Sequence, residues 1–527
     1  MPSHLFLPIP DELPRSWFVA ATPDVYLSRR GRDILLVEPE SASWLVLQDE
    51  AWELFALLSG RTVGTTTEKS HQLWQVGDLA DQSSLGKAAF NRVVMDLFRT
   101  NMISVNGKRY FEPSRMWEVQ AHPHYFNIHM TEACNLGCTY CRVSSPERAQ
   151  LADPALVRRI VRRVIEESPL QSLVISFHGG EPLLNLPGIR AGAEEAATVA
   201  QACGKQVELL VQTNGTLLTP ETVEALRRLK VGIGVSIDGP APIHDLHRVD
   251  RGGEGSYERV AQGIRTVSDQ GAPPGLLAVV HDPSGYVAIA DHLVRTFHVT
   301  SLRVNMSSLE GRAGESLSFP ADRGAAFARG WLSLLDYAEA YVQETGIWLD
   351  IADLNLFLFH LVSKERPHMC YRSPCGVGNS ILGFSADGGM YLCDELVGEP
   401  GSYLGNIQEA GNLRKLLDSA SVKADLMERR RVECVPKCAI CPWKRFHGSG
   451  CANKAFRYFG TFGKEDPLCR FYSVIFEELM WRVHRNPSLL RLCNQYAQHA
   501  MGSEAVDSLI EAYILSITEQ KPVQPSL

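Results

Sequence analysis

The sequence predicts an α/β protein: an open partial barrel of about six β/α units, with an α+β module before it and a cysteine-rich region after it. Three observations carry this. Between residues 125 and 306, short strand-like apolar runs alternate with helical patterns, which implies parallel strands joined by crossover helices. Residues 24–112 mix strand and helix patterns in a unit of their own. Eight cysteines then gather between 370 and 469.

A chain of 527 residues exceeds one ordinary core, so several domains are expected. The boundaries read as 1–115, 120–320, 321–365 (a helical linker), 366–475 and 476–527 (a helical extension). Net charge is −8, from 52 basic and 60 acidic residues, and no long basic run calls for nucleic acid or an anionic membrane. Arg158, Arg159, Arg162 and Arg163 have helical spacing and read as a solvated face. Residues 1–17 lack the charged start and apolar core of a signal peptide, and no apolar run is long enough to span a membrane. A cytoplasmic protein is expected, with reduced thiols. Eleven of the 13 cysteines cluster at 134–141, 370–393 and 434–469, which in a reducing compartment favours metal ligation. Cys203 and Cys493 stand alone and read as buried small hydrophobes.

In the first module, Asp33–Val37 and Ser43–Leu47 read as paired strands, and Asp49 as the cap of a helix carrying Ala51, Leu54, Phe55 and Leu58. A second helix carries Phe90, Val93, Val94, Leu97 and Phe98 at spacings of three and four. Met102–Phe111 reads as a hairpin turning at Asn106-Gly107. In the barrel, the strands are Tyr125–Met130, Ser172–Phe177, Gln206–Val211, Gly232–Ile237, Gly275–Val280 and Ser301–Met306. Helical stretches lie near 154–167, 189–203, 219–229, 256–270 and 286–297. Ligands of such folds sit at the C-terminal ends of the strands, where the distinctive residues of this chain fall.

The first strand runs into Cys134-x3-Cys138-x2-Cys141, with Tyr140 before the last cysteine. Soft thiolates suit iron–sulfur clusters or zinc. Three of them can hold three corners of a four-iron cluster and leave one iron open, whereas structural zinc wants four closed ligands. This loop resembles the signature of the radical S-adenosylmethionine (SAM) enzymes. The resemblance implies a partial (β/α)6 radical SAM barrel whose open iron chelates SAM. One-electron cleavage of SAM then yields a 5′-deoxyadenosyl radical that abstracts a substrate hydrogen.

Downstream motifs continue the likeness. Gly179-Gly180-Glu181-Pro182 matches the family's GGEP motif, which contacts the SAM amino group. Gln212-Thr213-Asn214-Gly215-Thr216 and Ser236-Ile237-Asp238-Gly239-Pro240 resemble strand-end motifs of the branch holding the anaerobic sulfatase maturases and peptide maturases. The resemblance thus implies Asn214, Ser236 and Asp238 as cofactor-binding residues. His244-Asp245, Arg248 and Gly255–Val260 extend it. The first module is similar to the winged-helix-like, PqqD-like unit that adds a leader peptide as a strand to its sheet edge.

The late cysteines resemble a SPASM domain, which carries two auxiliary clusters and so implies three [4Fe-4S] clusters in all. By that resemblance, Cys370, Cys375, Cys393 and Cys451 hold the first auxiliary cluster. The second takes Cys438, Cys441, Cys469 and one more ligand. The family pattern C-x2-C-x5-C-x3-C departs here, because His447 stands at its third position. Cys434 is the expected replacement, His447 the alternative, and an open iron the third option; a His ligand would raise the reduction potential. A pair of structural zinc sites is the competing reading of these thiols. Asp394, directly after Cys393, is the candidate general base.

The implied activity is oxidative maturation of a ribosomally made precursor peptide, installing a carbon–carbon or carbon–heteroatom cross-link. The alternative is a formylglycine-generating sulfatase maturase. The expected partners are the precursor, held by its leader, and an external electron donor such as flavodoxin or ferredoxin.

Overall fold

A computed structural model describes residues 12–61, 72–111, 122–142, 149–307 and 323–493. The first module holds two antiparallel three-stranded sheets. One has the order β5 (Trp74–Gln75), β1 (Phe18–Ala21), β6 (Ile103–Val105); the other runs β2 (Tyr26–Arg30), β3 (Asp33–Glu38), β4 (Ser43–Gln48). Helices Asp49–Ser59, Val76–Gln82 and Lys87–Arg99 complete it.

Period-two alternation gives the second sheet two buried faces. Ile34, Leu36, Leu45 and Leu47 enter the module's own core, while Leu35, Val37, Trp44 and Val46 enter the main core of the chain. The sheet is therefore a layer shared by both. Polar contacts fasten it: Trp44 Nε1 donates to Leu361 O (3.0 Å), Ser28 Oγ to Glu477 (2.7 Å), and Arg30 pairs with Glu478 (2.8 Å).

Two local expectations are corrected. Asp49 does not cap the helix: it is the first helical residue, with φ 39°, and its carboxylate is taken by Arg32. Asn106 and Gly107 do form a tight turn, with φ 48° and 74°. Among the described residues the chain returns there through the bridge Val105–Lys108, and β6 finds its strand partner in β1.

The barrel strands are β7 (Tyr125–His129), β8 (Ser172–His178), β9 (Gln206–Thr213), β10 (Val231–Ser236), β11 (Gly275–Val280) and β12 (Ser301–Met306), all parallel and in sequential order. Helix Pro154–Glu167 shows why the crossovers form. Asp153 caps it by accepting from Ala155 N (2.8 Å), and Pro154 opens the first turn. Val157, Ile160, Val161, Val164 and Ile165 fall on one buried face. At about 1.5–3 kcal/mol per buried aliphatic side chain, this face outweighs the arginines opposite, which form ion pairs such as Arg163–Glu167 (2.7 Å).

The sheet does not end with the barrel. β13 (Asp350–Ile351) adds beyond β12, and β14 (Ile381–Phe384) pairs in parallel with β7, followed by antiparallel β15 (Gly389–Tyr391) and β16 (Tyr403–Asn406). The cysteine-rich region thus covers an edge of the barrel that would otherwise present unpaired backbone groups. The linker contains helices Arg323–Thr345 and Ala352–Val362, and the last described long helix is Cys469–Arg485. Cys493 is buried as expected, but Cys203, at a helix end, is exposed. Residues 494–527 of the expected helical extension lie outside the described residues. Among the described residues, no helix is long and apolar enough to cross a membrane.

Candidate active site at the mouth of the barrel

The C-terminal ends of β7 to β11 meet under the loop 131–141. The GGEP segment packs directly against that loop: Gly180 N donates to Thr131 O (2.8 Å) and Glu181 N to Ala133 O (2.8 Å). Gly179 has φ 120°, and a Cβ on Gly180 would meet Ala133 O at 2.2 Å, so only glycine permits this approach. Glu181 is buried and accepts from Thr213 Oγ1 (2.7 Å), Asn214 N (2.8 Å) and Leu183 N (3.0 Å). Its carboxylate therefore ties the end of β9 to the start of Pro182–Asn185. Burial pushes the Glu181 carboxyl above its ordinary value despite these donors.

Asn214 reaches the loop itself, donating to Asn135 Oδ1 (2.8 Å), with Cys134 Sγ at 3.7 Å. Asp238 is buried and braced by Tyr140 Oη (2.6 Å), Arg248 Nε (2.8 Å) and Val279 N (2.9 Å). Burial alone would raise its carboxyl; Arg248 and Tyr140 outweigh that and hold it below the ordinary range. His244 accepts from Asp238 N (3.1 Å), and its Nε2 lies 3.0 Å from Ser256 Oγ, so the His-Asp…Arg…Gly-Ser stretch is one interlocked brace. Ser236 accepts from Gln212 Nε2 (2.9 Å).

The structure brings the expected thiols together in three groups. Cys134, Cys138 and Cys141 sit within electrostatic reach of one another, and burial pushes Cys138 up to about 11. Cys393 is likewise raised by burial and by Cys370, Cys375 and Cys451. Cys438 is pushed up to about 12 by burial, then by Cys441 and Cys469. Clustered, raised thiols fit a metal centre, whose positive charge makes them thiolates. Cys434 stands apart: it is exposed, and its thiol donates to Glu428 (3.2 Å). His447 is buried, stacks on Tyr472 with ring centroids 4.6 Å apart, and is pushed down to about 4 by burial.

One constellation escapes sequence reasoning. His129 and His178 end neighbouring strands in register, and their rings stack at 6.0 Å. Asp394 reaches them from the Cys393 loop, with Oδ1 2.9 Å from His129 Nε2. Arg142, directly after Cys141, donates to Asp394 Oδ2 (3.0 Å). His129, His178 and Asp394 each offer an atom within 4.8 Å of the others. Burial would raise the Asp394 carboxyl, but His178, Arg142 and His129 hold it well below the ordinary range. His178 Nδ1 is buried with no hydrogen-bond partner among the described residues. The only available signal was positional: His129 and His178 close strands beside two ligand-bearing loops.

A parallel α/β barrel whose mouth carries a three-thiol loop locked to a glycine-rich strand end defines an iron–sulfur, SAM-using enzyme. The description "Radical SAM superfamily" matches residues 128–283. The serine-type anaerobic sulfatase-maturating enzyme of Bacteroides thetaiotaomicron is 32% identical over 300 residues, covering 52% of this chain and 69% of that protein. The chain belongs to the radical SAM superfamily. In fold it is similar to native anSMEcpe solved with bound AdoMet and Cp18Cys peptide (TM-score 0.60, 21% identity, 71% of this chain and 99% of the other). It is also similar to Streptococcus suis SuiB bound to precursor peptide SuiA (TM-score 0.50, 14% identity, 85% and 98%).

Proposed function

We propose that this enzyme modifies a ribosomally made precursor peptide, held by its leader in the first module, and cross-links it oxidatively at the barrel mouth. The observation that carries this reading is the groove beside β4. β4 is an edge strand of its sheet, and a recess of about 300 Å³ runs between it and helix Lys87–Arg99, lined by Leu45, Leu47, Ala89, Val93 and Asp96. A leader added to β4 as a further strand would find backbone partners on one side and, on the other, a helix face where Ala89 and Val93 alternate with Arg92 and Asp96. The fold likeness to SuiB, which was solved with a precursor peptide, spans 85% of this chain.

Cys134, Cys138 and Cys141 would hold the SAM-binding cluster, with Gly179, Gly180, Glu181, Pro182, Asn214, Ser236 and Asp238 framing SAM. When bound, SAM supplies the hydrogen-abstracting chemistry. The chain's own residues do the rest. A barrel mouth that excludes water would protect the reacting carbon. The His129–His178–Asp394 group, anchored by Arg142, receives the proton the substrate loses. Cys370, Cys375, Cys393 and Cys451 would hold a cluster able to accept an electron, and Cys393 is the neighbour of Asp394 in the chain. Cys438, Cys441 and Cys469 would hold the other auxiliary cluster.

The identity to a sulfatase-maturating enzyme favours a second reading, formylglycine formation on a sulfatase. Co-expression with any short reading frame beside the gene separates the two. A peptide that loses two hydrogens and resists fragmentation between two residues supports cross-linking. An aldehyde that a hydrazide captures supports formylglycine and overturns our reading.

A further inference from the structure

We propose that Asp466 is a positioning residue shared by the two late thiol groups. It fixes Cys451 of the first against Cys469 of the second, and its buried charge holds down the reduction potentials of both clusters. The inference rests on the reading of those thiols as iron–sulfur ligands and is independent of which peptide is modified.

Asp466 is 1% exposed. Its Oδ1 accepts from Leu468 N (2.8 Å), an ordinary turn contact leading into helix Cys469–Arg485. Its other contacts go to ligand residues. Oδ2 accepts from Cys451 N (3.0 Å), and its main-chain oxygen accepts from Cys469 N (2.9 Å). One residue therefore grips a cysteine of each late group, although Cys451 and Cys469 are assigned to different clusters. The chain leaves room for this approach at Gly450, which has φ 76° and where a Cβ would meet the Asp466 Cβ at 2.4 Å.

A buried carboxylate ordinarily finds a cation. Among the described residues, no Lys or Arg forms an ion pair with Asp466. Its neighbour Glu465 does have one, Lys437 at 3.4 Å. Arg430 is also buried, but its guanidinium is engaged by the carbonyls of Phe462 (2.8 Å) and Gly450 (3.0 Å). Asp466 lies within electrostatic reach of Cys469, and of Tyr472, which in turn senses Cys451 and Cys370. A negative charge in a poorly screened interior disfavours adding an electron to a cluster beside it, which lowers the potential. Hydrogen bonds to cluster sulfurs act the other way, and the Cys451 N–H is engaged by the carboxylate instead. Both effects have the same sign.

The test is an EPR-monitored reductive titration of the reconstituted holoenzyme, with iron, sulfide and zinc measured on the same samples. Asp466→Asn keeps the shape and removes the charge. Asp466→Ser also removes it, and keeps an oxygen for Leu468 N. Both late clusters are expected to move to higher potential, by about tenfold in the reduced-to-oxidised ratio at a fixed potential, or about 59 mV. The barrel-mouth cluster should not move. If a variant loads iron like wild type and either late potential is unmoved, the proposal is overturned while the cluster reading stands. Iron lost from one late cluster alone in both variants also overturns it. Iron lost from both, with the barrel-mouth cluster retained, supports the shared grip. A wild type carrying zinc at these thiols overturns the proposal and the cluster reading together.

Discussion

The two late thiol groups differ in completeness and in what assembles them, and the difference is instructive. Cys370, Cys375, Cys393 and Cys451 come from distant stretches, yet the structure gathers all four. The shared sheet does this: β14 pairs with β7, which carries the β14–β15 hairpin and the Cys393 loop to the barrel mouth. Cys438, Cys441 and Cys469 instead belong to a local loop and a helix start, with exposed Ile440 next to Cys441 in the chain. The first group adjoins the His129–His178–Asp394 constellation through Cys393, the neighbour of Asp394 in the chain, while the second is assembled by its own loop and the start of a helix.

The strongest way to break this comparison is Cys393→Ala. We expect loss of about four of about twelve irons, with loss of peptide modification but retained SAM binding at the first cluster. Loss of all iron would show that the clusters do not assemble independently. Gly180→Ala should be comparably severe at the barrel mouth, since its Cβ would sit 2.2 Å from Ala133 O. Here SAM-induced change in the first cluster's EPR signal should vanish while the auxiliary signals persist.

The comparison is sharpened by pairing Cys438→Ala with Cys434→Ala. Iron should fall by about one cluster in the first and stay unchanged in the second, because the Cys434 thiol is engaged with Glu428. An equal fall in both would show Cys434 leaving Glu428 for the metal. In the first module, Ala89→Trp should fill the groove and weaken leader binding more than about tenfold by anisotropy, with SAM cleavage in the absence of peptide unaffected.

The smallest effect concerns the packing between the two groups. His447 is held neutral, with its pKa pushed from an ordinary 6.5 down to about 4 by burial. In the unfolded chain it binds its proton near 6.5, so lowering the pH favours unfolding. The stabilisation is full above pH 6.5 and is lost as the pH falls toward 4, by on the order of 3 kcal/mol. His447→Phe keeps a ring to stack on Tyr472. Urea midpoints of the holoprotein between pH 5 and 7.5 should vary less in this variant, and an unchanged slope would place the acid sensitivity elsewhere.

Much of the fold is legible in the sequence, for local reasons. All six barrel strands and the helices Pro154–Glu167 and Tyr286–Phe297 fall where alternation and helical spacing put them. Side-chain period and caps act within a few residues. β1, β2 and β5 are not legible, because two- to five-residue strands are set by their partners rather than by pattern. The cysteine spacing likewise announces metal chemistry at the barrel mouth, since ligands in one short loop are constrained by that loop alone.

By itself, then, the sequence determined the alternating barrel, the three-thiol loop and the glycine-rich strand end that must approach it. Only the tertiary structure decided what lies between them. It made β2–β4 a layer common to two cores and continued the barrel sheet through β14 to β16. It also brought Arg142, His129, His178 and Asp394 to one point. Those residues are separated by as many as 265 positions along the chain. No local propensity spans such a distance; strand register and the burial of a shared sheet do.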